Sequence, residues 1–312
     1  MKQIHSMFQF SSSHLSPNHC LLLPMIAMLI VYSCSKGGNM TPNSPNSDTE
    51  TLSHNGETRE YILYVPDVYD GNSEVPLMLN FHGFGMTASQ QLSFADMRSL
   101  ADANNFILVY PQGTLLDGSP HWNSGLESND NKSDADDFGF VEALIDNISS
   151  NYSIDEKRVY ACGYSNGAFF SYSLACYHSD KIAAIGSVSG TMMEETLNNC
   201  TPSHPLAMIN LHGTSDGTVS YEGGTGLISI DAVLAYWAGF NNTTSTPDIT
   251  SIDDNGTTIE HHVYAEGDNN VSVEHYKIVG GKHVWFDINY EGASTSQLIW
   301  EFVSRYDIDG LR

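Results

Sequence analysis

RVYACG, residues 158–163, reads as a short buried strand, and AFFSYSLAC, residues 168–176, reads as a helix; what joins them is GYSNG at 163–167. A G-x-S-x-G run between a strand and a helix is the setting of a nucleophile elbow, in which the serine sits on a strained turn with its hydroxyl exposed. That local constraint also limits the global fold. A strand that passes directly into a helix belongs to a layered structure with the helix lying back on the sheet.

The rest of the chain repeats the pattern. REYILYV (59–65), PLMLNFH (76–82), FILVY (106–110), IAAIGSV (from Ile182), LAMINLH (from Leu206) and HYKIVGG (from His275) are strand-like. Between them, helical spacing links Phe94, Met97, Leu100 and Ala101, then Phe138, Val141, Leu144, Ile145 and Ile148, then DAVLAYWAGF from Asp231. A last helix, SQLIWEFVSRY, has Ser294 in place as its cap. Strands alternating with helices predict an α/β fold, a mostly parallel sheet with helices on both faces, in a single domain over residues 53–312.

In a parallel sheet, functional loops gather at the carboxyl ends of the strands. Four predicted strand ends carry suitable residues: HGFG at 82–85, Ser165, HGTSDGTV with Asp216, and GGKHVWF with His283. Serine needs a base to become a useful nucleophile, and the imidazole needs a carboxylate to fix its tautomer and stabilise its charge. Ser165, His283 and Asp216 fit those roles in the chain order Ser, Asp, His that marks the α/β-hydrolase arrangement. A tetrahedral intermediate needs two N–H donors; Asn166 and the glycine-flanked Phe84 are the candidates. Taken singly, Asp216 reads more readily as a turn aspartate, and His283 has rivals in His261, His262 and His275; the joint occurrence of elbow, glycine-rich loop, acid and histidine in this order at strand ends is what favours the catalytic reading. His82 and His212 are read as orienting or packing residues beneath the site, and Trp285 and Trp122 as candidate walls of a substrate pocket.

The front of the chain calls for a separate account. LLLPMIAMLIVY (21–32) is apolar but too short to span a bilayer, which makes residues 1–33 a signal peptide, with Met7 and Met25 as alternative starts. YSCSKGG then resembles a lipobox with Cys34 as the lipidated residue, ordinary cleavage beside an unmodified Cys34 being the alternative. Residues 34–52 have the composition of a flexible tether. The expected location is outside the cytoplasm, in the envelope of a bacterium or beyond it, with membrane contact only through the lipid. Twelve basic residues against 37 acidic ones give a formal net charge of −25, which excludes nucleic acid as a partner. Of five cysteines, Cys162 reads as core, and Cys176 with Cys200 as a disulfide pair in an oxidising compartment. No metal-ligand spacing or phosphate-binding loop is present, so neither metal nor cofactor is expected.

HGFG, DADDFGFVEALID, RVYACGYSNGAFFSYSLAC, HGTSD and GGKHVWF, in that order, resemble the esterases related to polyhydroxybutyrate depolymerases and to bacterial feruloyl and acetylxylan esterases. The resemblance runs from about residue 51 to the terminal helix. It implies a serine carboxylesterase with Ser165, Asp216 and His283 as triad, Phe84 and Asn166 at the oxyanion hole, Trp285 beside the pocket, and a Cys176–Cys200 bridge. Two departures lie near the pocket: Trp285 is followed by Phe286 where many relatives have proline, and Phe84 stands where cysteine is common. The implied substrates are feruloyl or acetyl esters on polysaccharide or its oligosaccharides, with a polyester as the alternative and a catalytically silent polymer binder as the reading from another class. The leader generates one prediction. If Cys34 carries lipid, the wild-type protein partitions with membranes and Cys34→Ala does not; identical fractionation of the two removes the anchor.

Overall fold

A computed structural model describes residues 48–125 and 132–312. The leader, Cys34 and the first part of the expected tether lie outside the described residues. The elements run in order β1 (Asp48–His54), β2 (Glu57–Tyr64), β3 (Val75–Phe81), α1 (Ala88–Phe94), α2 (Arg98–Asn104), β4 (Ile107–Pro111), β5 (Thr114–Leu116), β6 (Ser119–His121), α3 (Asp137–Asn151), β7 (Ile154–Tyr164) and α4 (Asn166–Tyr177). They continue with β8 (Ala184–Val188), α5 (Glu194–Asn198), β9 (Ala207–Gly213), α6 (Ile230–Phe240), β10 (Asp248–Asp254), β11 (Thr257–Tyr264), a 3₁₀ turn (Asp268–Asn270), β12 (Val273–Ile278), α7 (Thr295–Val303), β13 (Tyr306–Asp307) and β14 (Gly310–Leu311).

Ten strands form one sheet in the order β1-β2-β4-β3-β7-β8-β9-β12-β11-β10. The inner six, β4 to β12, are parallel, and an antiparallel hairpin closes each edge. Both hairpins turn on Asn-Gly: Asn55–Gly56 at φ 50° and 83°, and Asn255–Gly256 at φ 52° and 87°. Positive φ at both central residues is what a two-residue turn needs to match the strand twist, and asparagine and glycine adopt it most readily. Side chains alternate across the sheet. On β3, Met78 joins one core cluster with residues of α1, α2 and α7, while Leu77, Leu79 and Phe81 join the other with α3, α4 and α6.

Two expectations are corrected. The tether does not reach residue 52, because β1 begins at Asp48 and pairs with β2 along its whole length. Its polar side chains hid it, since main-chain pairing needs no apolar residue. The helical stripe from Phe94 to Ala101 is two helices. The Tyr110 hydroxyl occupies the break, donating to Ala95 O at 2.8 Å and accepting from Met97 N–H at 3.1 Å, and Asp96 caps the next turn through Arg98 N–H at 2.9 Å. The cap of α7 is as expected: Ser294 Oγ accepts from Gln297 N–H.

Cys176, near the end of α4, and Cys200, just after α5, form a disulfide with Cα atoms 4.6 Å apart, while Cys162 is buried and free. Closing a loop of 24 residues stabilises the folded state by about 3 kcal/mol through the entropy removed from the unfolded chain. Cys200→Ser should therefore lower the unfolding free energy by about that amount in a denaturant titration. Labelling of both Cys176 and Cys200 by a thiol reagent in unreduced protein would remove the bridge.

Candidate active site

The elbow is built from close main-chain contact. A Cβ on Gly163 would lie 2.5 Å from the carbonyl carbon of Gly167, and one on Gly167 would lie 2.3 Å from the carbonyl oxygen of Phe81. Only glycine lets the start of α4 sit this tightly on the ends of β7 and β3. Ser165, between them, takes φ 52° and ψ −117°, a strained conformation for a residue with a side chain. Its N–H donates to Val188 O at 3.0 Å, tying the turn to β8.

Ser165, His283 and Asp216 come together in one line of hydrogen bonds. His283 Nε2 lies 3.0 Å from Ser165 Oγ, and His283 Nδ1 lies 2.8 Å from Asp216 Oδ2. The loops carrying the last two are stitched to each other: Thr214 N–H donates to Ile278 O, Ser215 N–H to Gly281 O, and Gly280 N–H to Thr214 Oγ1. A Cβ on Gly213 would lie 2.3 Å from Gly281, so the stitching again depends on glycine. The Tyr164 hydroxyl donates to His283 O at 3.1 Å and its ring lies 5.1 Å from the imidazole. Both Asp216 oxygens are engaged, since Thr218 and Val219 N–H donate to Oδ1 at 2.8 Å each. Burial opposes the charge on Asp216, but the hydrogen bonds from His283, Val219 and Thr218 outweigh it and hold the carboxyl below its ordinary range. Donation by His283 Nδ1–H to that carboxylate leaves Nε2 as the acceptor facing the serine, so the hydroxyl can lose its proton as it attacks an electrophile.

The rival histidines are engaged elsewhere. His261 bonds Glu274, His262 bonds Glu260, and His275 lies fully buried between Tyr221 OH and Asn210 O. His212 lies beneath the acid, its Nε2 2.9 Å from Val219 O and 3.4 Å from Asp216 Oδ2.

Ser165 opens onto a cleft of about 260 Å³. Besides Ser165, its polar lining comes from Asn166, His121 and Ser124, and its apolar lining from Phe84, Leu116, Phe169, Met193 and Leu227. Phe84 is 55% exposed at the rim, and its ring meets His121 edge-on at 6.0 Å. Neither tryptophan is a wall. Trp122 is fully buried, stacked on Phe170 at 5.2 Å with Phe81 edge-on, and Trp285 is buried in the core cluster that includes Tyr164 and Phe286. Both expectations fail for the same reason: a large apolar ring near a site gains more by filling the core than by facing water. Trp122 serves the site through its main chain instead. Asn166 Oδ1 accepts from Trp122 N–H at 2.8 Å, and Asn166 Nδ2 donates to Trp122 O at 3.0 Å.

Some of the cleft was readable in principle. Asp117–Gly118, at φ 50° and 82°, is a hairpin turn that places Leu116 and His121 on the paired strands β5 and β6. Met193 and Leu227, joined by an isolated bridge between loops far apart in sequence, carried no local signal.

The six-stranded parallel core, the elbow between β7 and α4, and the Ser, Asp, His order at strand ends define an α/β-hydrolase fold. Residues 69–228, just over half of the chain, match the model of the phospholipase/carboxylesterase family, and the chain belongs to that family. It is 27% identical over 258 residues to a bifunctional acetylxylan esterase/xylanase of Neocallimastix patriciarum, an alignment covering 82% of this chain and 34% of that protein. It is 29% identical over 186 residues to feruloyl esterase B of Piromyces equi, covering 59% of this chain and 34% of the other. The alignments therefore span about a third of the length of these two relatives. Among solved structures, an acetyl xylan esterase from Aspergillus awamori aligns with a TM-score of 0.58 at 15% identity, covering 76% of this chain and 94% of that one. A ferulic acid esterase from Anaeromyces mucronatus aligns at 0.52 and 14%, covering 84% and 90%. At such identities the likeness is one of fold.

The elbow generates a stability prediction. Gly167→Ala forces a Cβ against the Phe81 carbonyl, backbone that cannot swing aside, so the unfolding free energy should fall by about 1–3 kcal/mol, as for an overpacked core. An unchanged denaturation midpoint would show that the contact relaxes at no cost.

Proposed function

We propose that the chain is a serine carboxylesterase in which Ser165, His283 and Asp216 act as one unit. The observation that carries this reading is the unbroken pair of hydrogen bonds, 3.0 Å and 2.8 Å, from the strained serine through the imidazole to a fully engaged carboxylate. Ser165 Oγ attacks the ester carbonyl while His283 Nε2 takes its proton, and the imidazolium is stabilised by Asp216. The tetrahedral oxyanion is held by the N–H groups of Asn166 and Phe84. Asn166 is the first residue of α4, where an amide has no intrahelical acceptor and the helix dipole favours negative charge. Collapse expels the alcohol, which leaves with the proton from His283, and the acyl-serine is then hydrolysed by water activated at the same nitrogen.

For substrate, the reading is a feruloyl or acetyl ester on polysaccharide, met outside the cytoplasm by a protein exported through the leader and held by lipid at Cys34. The names of the relatives support the ester class. The cleft supports an uncharged acyl group, because its walls are apolar and no lysine or arginine among the described residues lines it. Aromatic surface comes from Phe84 and Phe169.

Two experiments follow. Ser165→Ala and His283→Ala should each cost up to the order of a million-fold in hydrolysis of p-nitrophenyl acetate, the double variant little more, and Asp216→Asn less. Retention of more than about a tenth of the activity in Ser165→Ala would reject the serine mechanism, since breaking such a unit costs far more than tenfold. In Phe169→Ala, loss of aromatic contact worth about 0.5–1.5 kcal/mol should lower kcat/KM for methyl ferulate about two- to twelvefold more than for an acetyl ester. Equal losses on both esters would remove the aromatic wall, and turnover confined to hydroxybutyrate oligomers would replace the polysaccharide ester with a polyester.

A further inference from the structure

His82 follows β3 directly and precedes Gly83 and Phe84. Its ring is fully buried and meets main chain at both nitrogens: Gly113 N–H lies 2.9 Å from Nε2, and Nδ1 lies 2.8 Å from Gly83 O. An amide N–H can only donate and a carbonyl can only accept, so Nε2 is bare and Nδ1 carries the proton. The Gln112 side-chain amide also donates to Nε2, at 3.2 Å. Burial reinforces the neutral state, pushing the imidazole pKa down to about 4.

The consequence lies in the next peptide. In a trans peptide the carbonyl and the N–H of the same amide lie in one plane and point in opposite directions. Holding the Gly83 carbonyl thus turns the Phe84 N–H away from His82. Met86 N–H donates to the same carbonyl at 3.1 Å, and Gly85 N–H donates to Pro120 O at 2.8 Å, so the loop is fixed on both sides of Phe84. The second candidate donor is tied to the same frame. Trp122 rests its ring 5.1 Å from that of His82, and the Trp122 main chain is gripped at N–H and C=O by the Asn166 side chain.

We infer that His82, as the neutral Nδ1–H tautomer, is a positioning residue for oxyanion stabilisation: it aims the Phe84 N–H and, through Trp122, holds it in register with the N–H of Asn166. This inference rests on the esterase reading above. A hydrogen bond that must be aimed at the transition state contributes to kcat rather than to substrate binding, and loss of an oxyanion donor outright costs about a hundred- to a thousandfold.

The test compares two amides. In His82→Asn the side-chain NH₂ takes the place of Nδ1–H and keeps a donor for Gly83. In His82→Gln the amide reaches the Nε2 position, accepts from Gly113 and leaves Gly83 without its donor. With p-nitrophenyl acetate, kcat should fall about ten- to a hundredfold in His82→Gln, part of a full donor loss, with KM little changed, while His82→Asn stays within about threefold of wild type. Equal kcat in the two folded variants, or a loss confined to KM, overturns the inference. Should neither variant accumulate folded, nitrogen NMR of the wild-type ring decides: an Nδ1–H tautomer that does not titrate between about pH 6 and 8 supports it, and an Nε2–H or titrating ring overturns it. Hydrolysis that survives Ser165→Ala rejects the esterase reading, whereas serine-dependent hydrolysis with indifferent His82 variants rejects this inference alone.

Discussion

The site hangs from a place where three stretches of main chain approach more closely than any side chain would allow. Gly163 at the end of β7, Gly167 in the first turn of α4 and the Phe81 carbonyl at the end of β3 meet within van der Waals distance of bare backbone. Because the helix is seated that low, Ser165 is driven into a positive-φ turn and its hydroxyl stands up between the sheet and the loops. The strain is sustained by what surrounds it. The β3–β7 pairing on one side, the bond from Ser165 N–H to β8 and the buried face of α4 leave the turn no alternative path.

Around that point the structure keeps buried polar groups in defined states. Burial lowers the pKa of His82, His212 and His275 and so favours their neutral forms. The fold favours their neutral forms, so each contributes stability that is fully present above the ordinary imidazole value and lost as pH falls toward the depressed one. Asp216 behaves in the same sense, contributing above its ordinary value and losing that contribution in acid. Arg59, buried and stacked 3.9 Å over Phe140, pairs with Asp137, whose other oxygen accepts from Asn123 N–H; the loop bearing His121 and Trp122 is fixed by that pair at one end and by Asn166 at the other.

The acid-rich composition has little to do with this machinery. The cleft walls are apolar, and the carboxylate of Asp216 is engaged at both oxygens. Carboxylates on the surface keep the protein hydrated and repel other anions. The disulfide, by contrast, bears on the cleft directly. Cys176 closes the helix that carries Phe169, and Cys200 follows α5, whose cap is Met193, so one covalent bond ties two apolar walls together.

The sequence by itself determined the alternation of strands and helices and the elbow, because each is written in local periodicity or in residues a few positions apart, and it placed Ser165, Asp216 and His283, in that chain order, at strand ends. Even the break between α1 and α2 escaped it, since the group that stops the helix is the Tyr110 hydroxyl, arriving from β4. The edge strand β1 escaped it because main-chain pairing leaves no apolar trace. Only the tertiary structure chose His283 over His261, His262 and His275, by placing one imidazole against Ser165 and giving the others to carboxylates, a tyrosine and the backbone. It also decided what faces the cleft. Trp122 and Trp285 were drawn into the core by their area, and Phe84, Phe169, Met193 and Leu227 were left to line the walls. Which side of a ring meets water depends on how distant segments pack, and no local pattern encodes that.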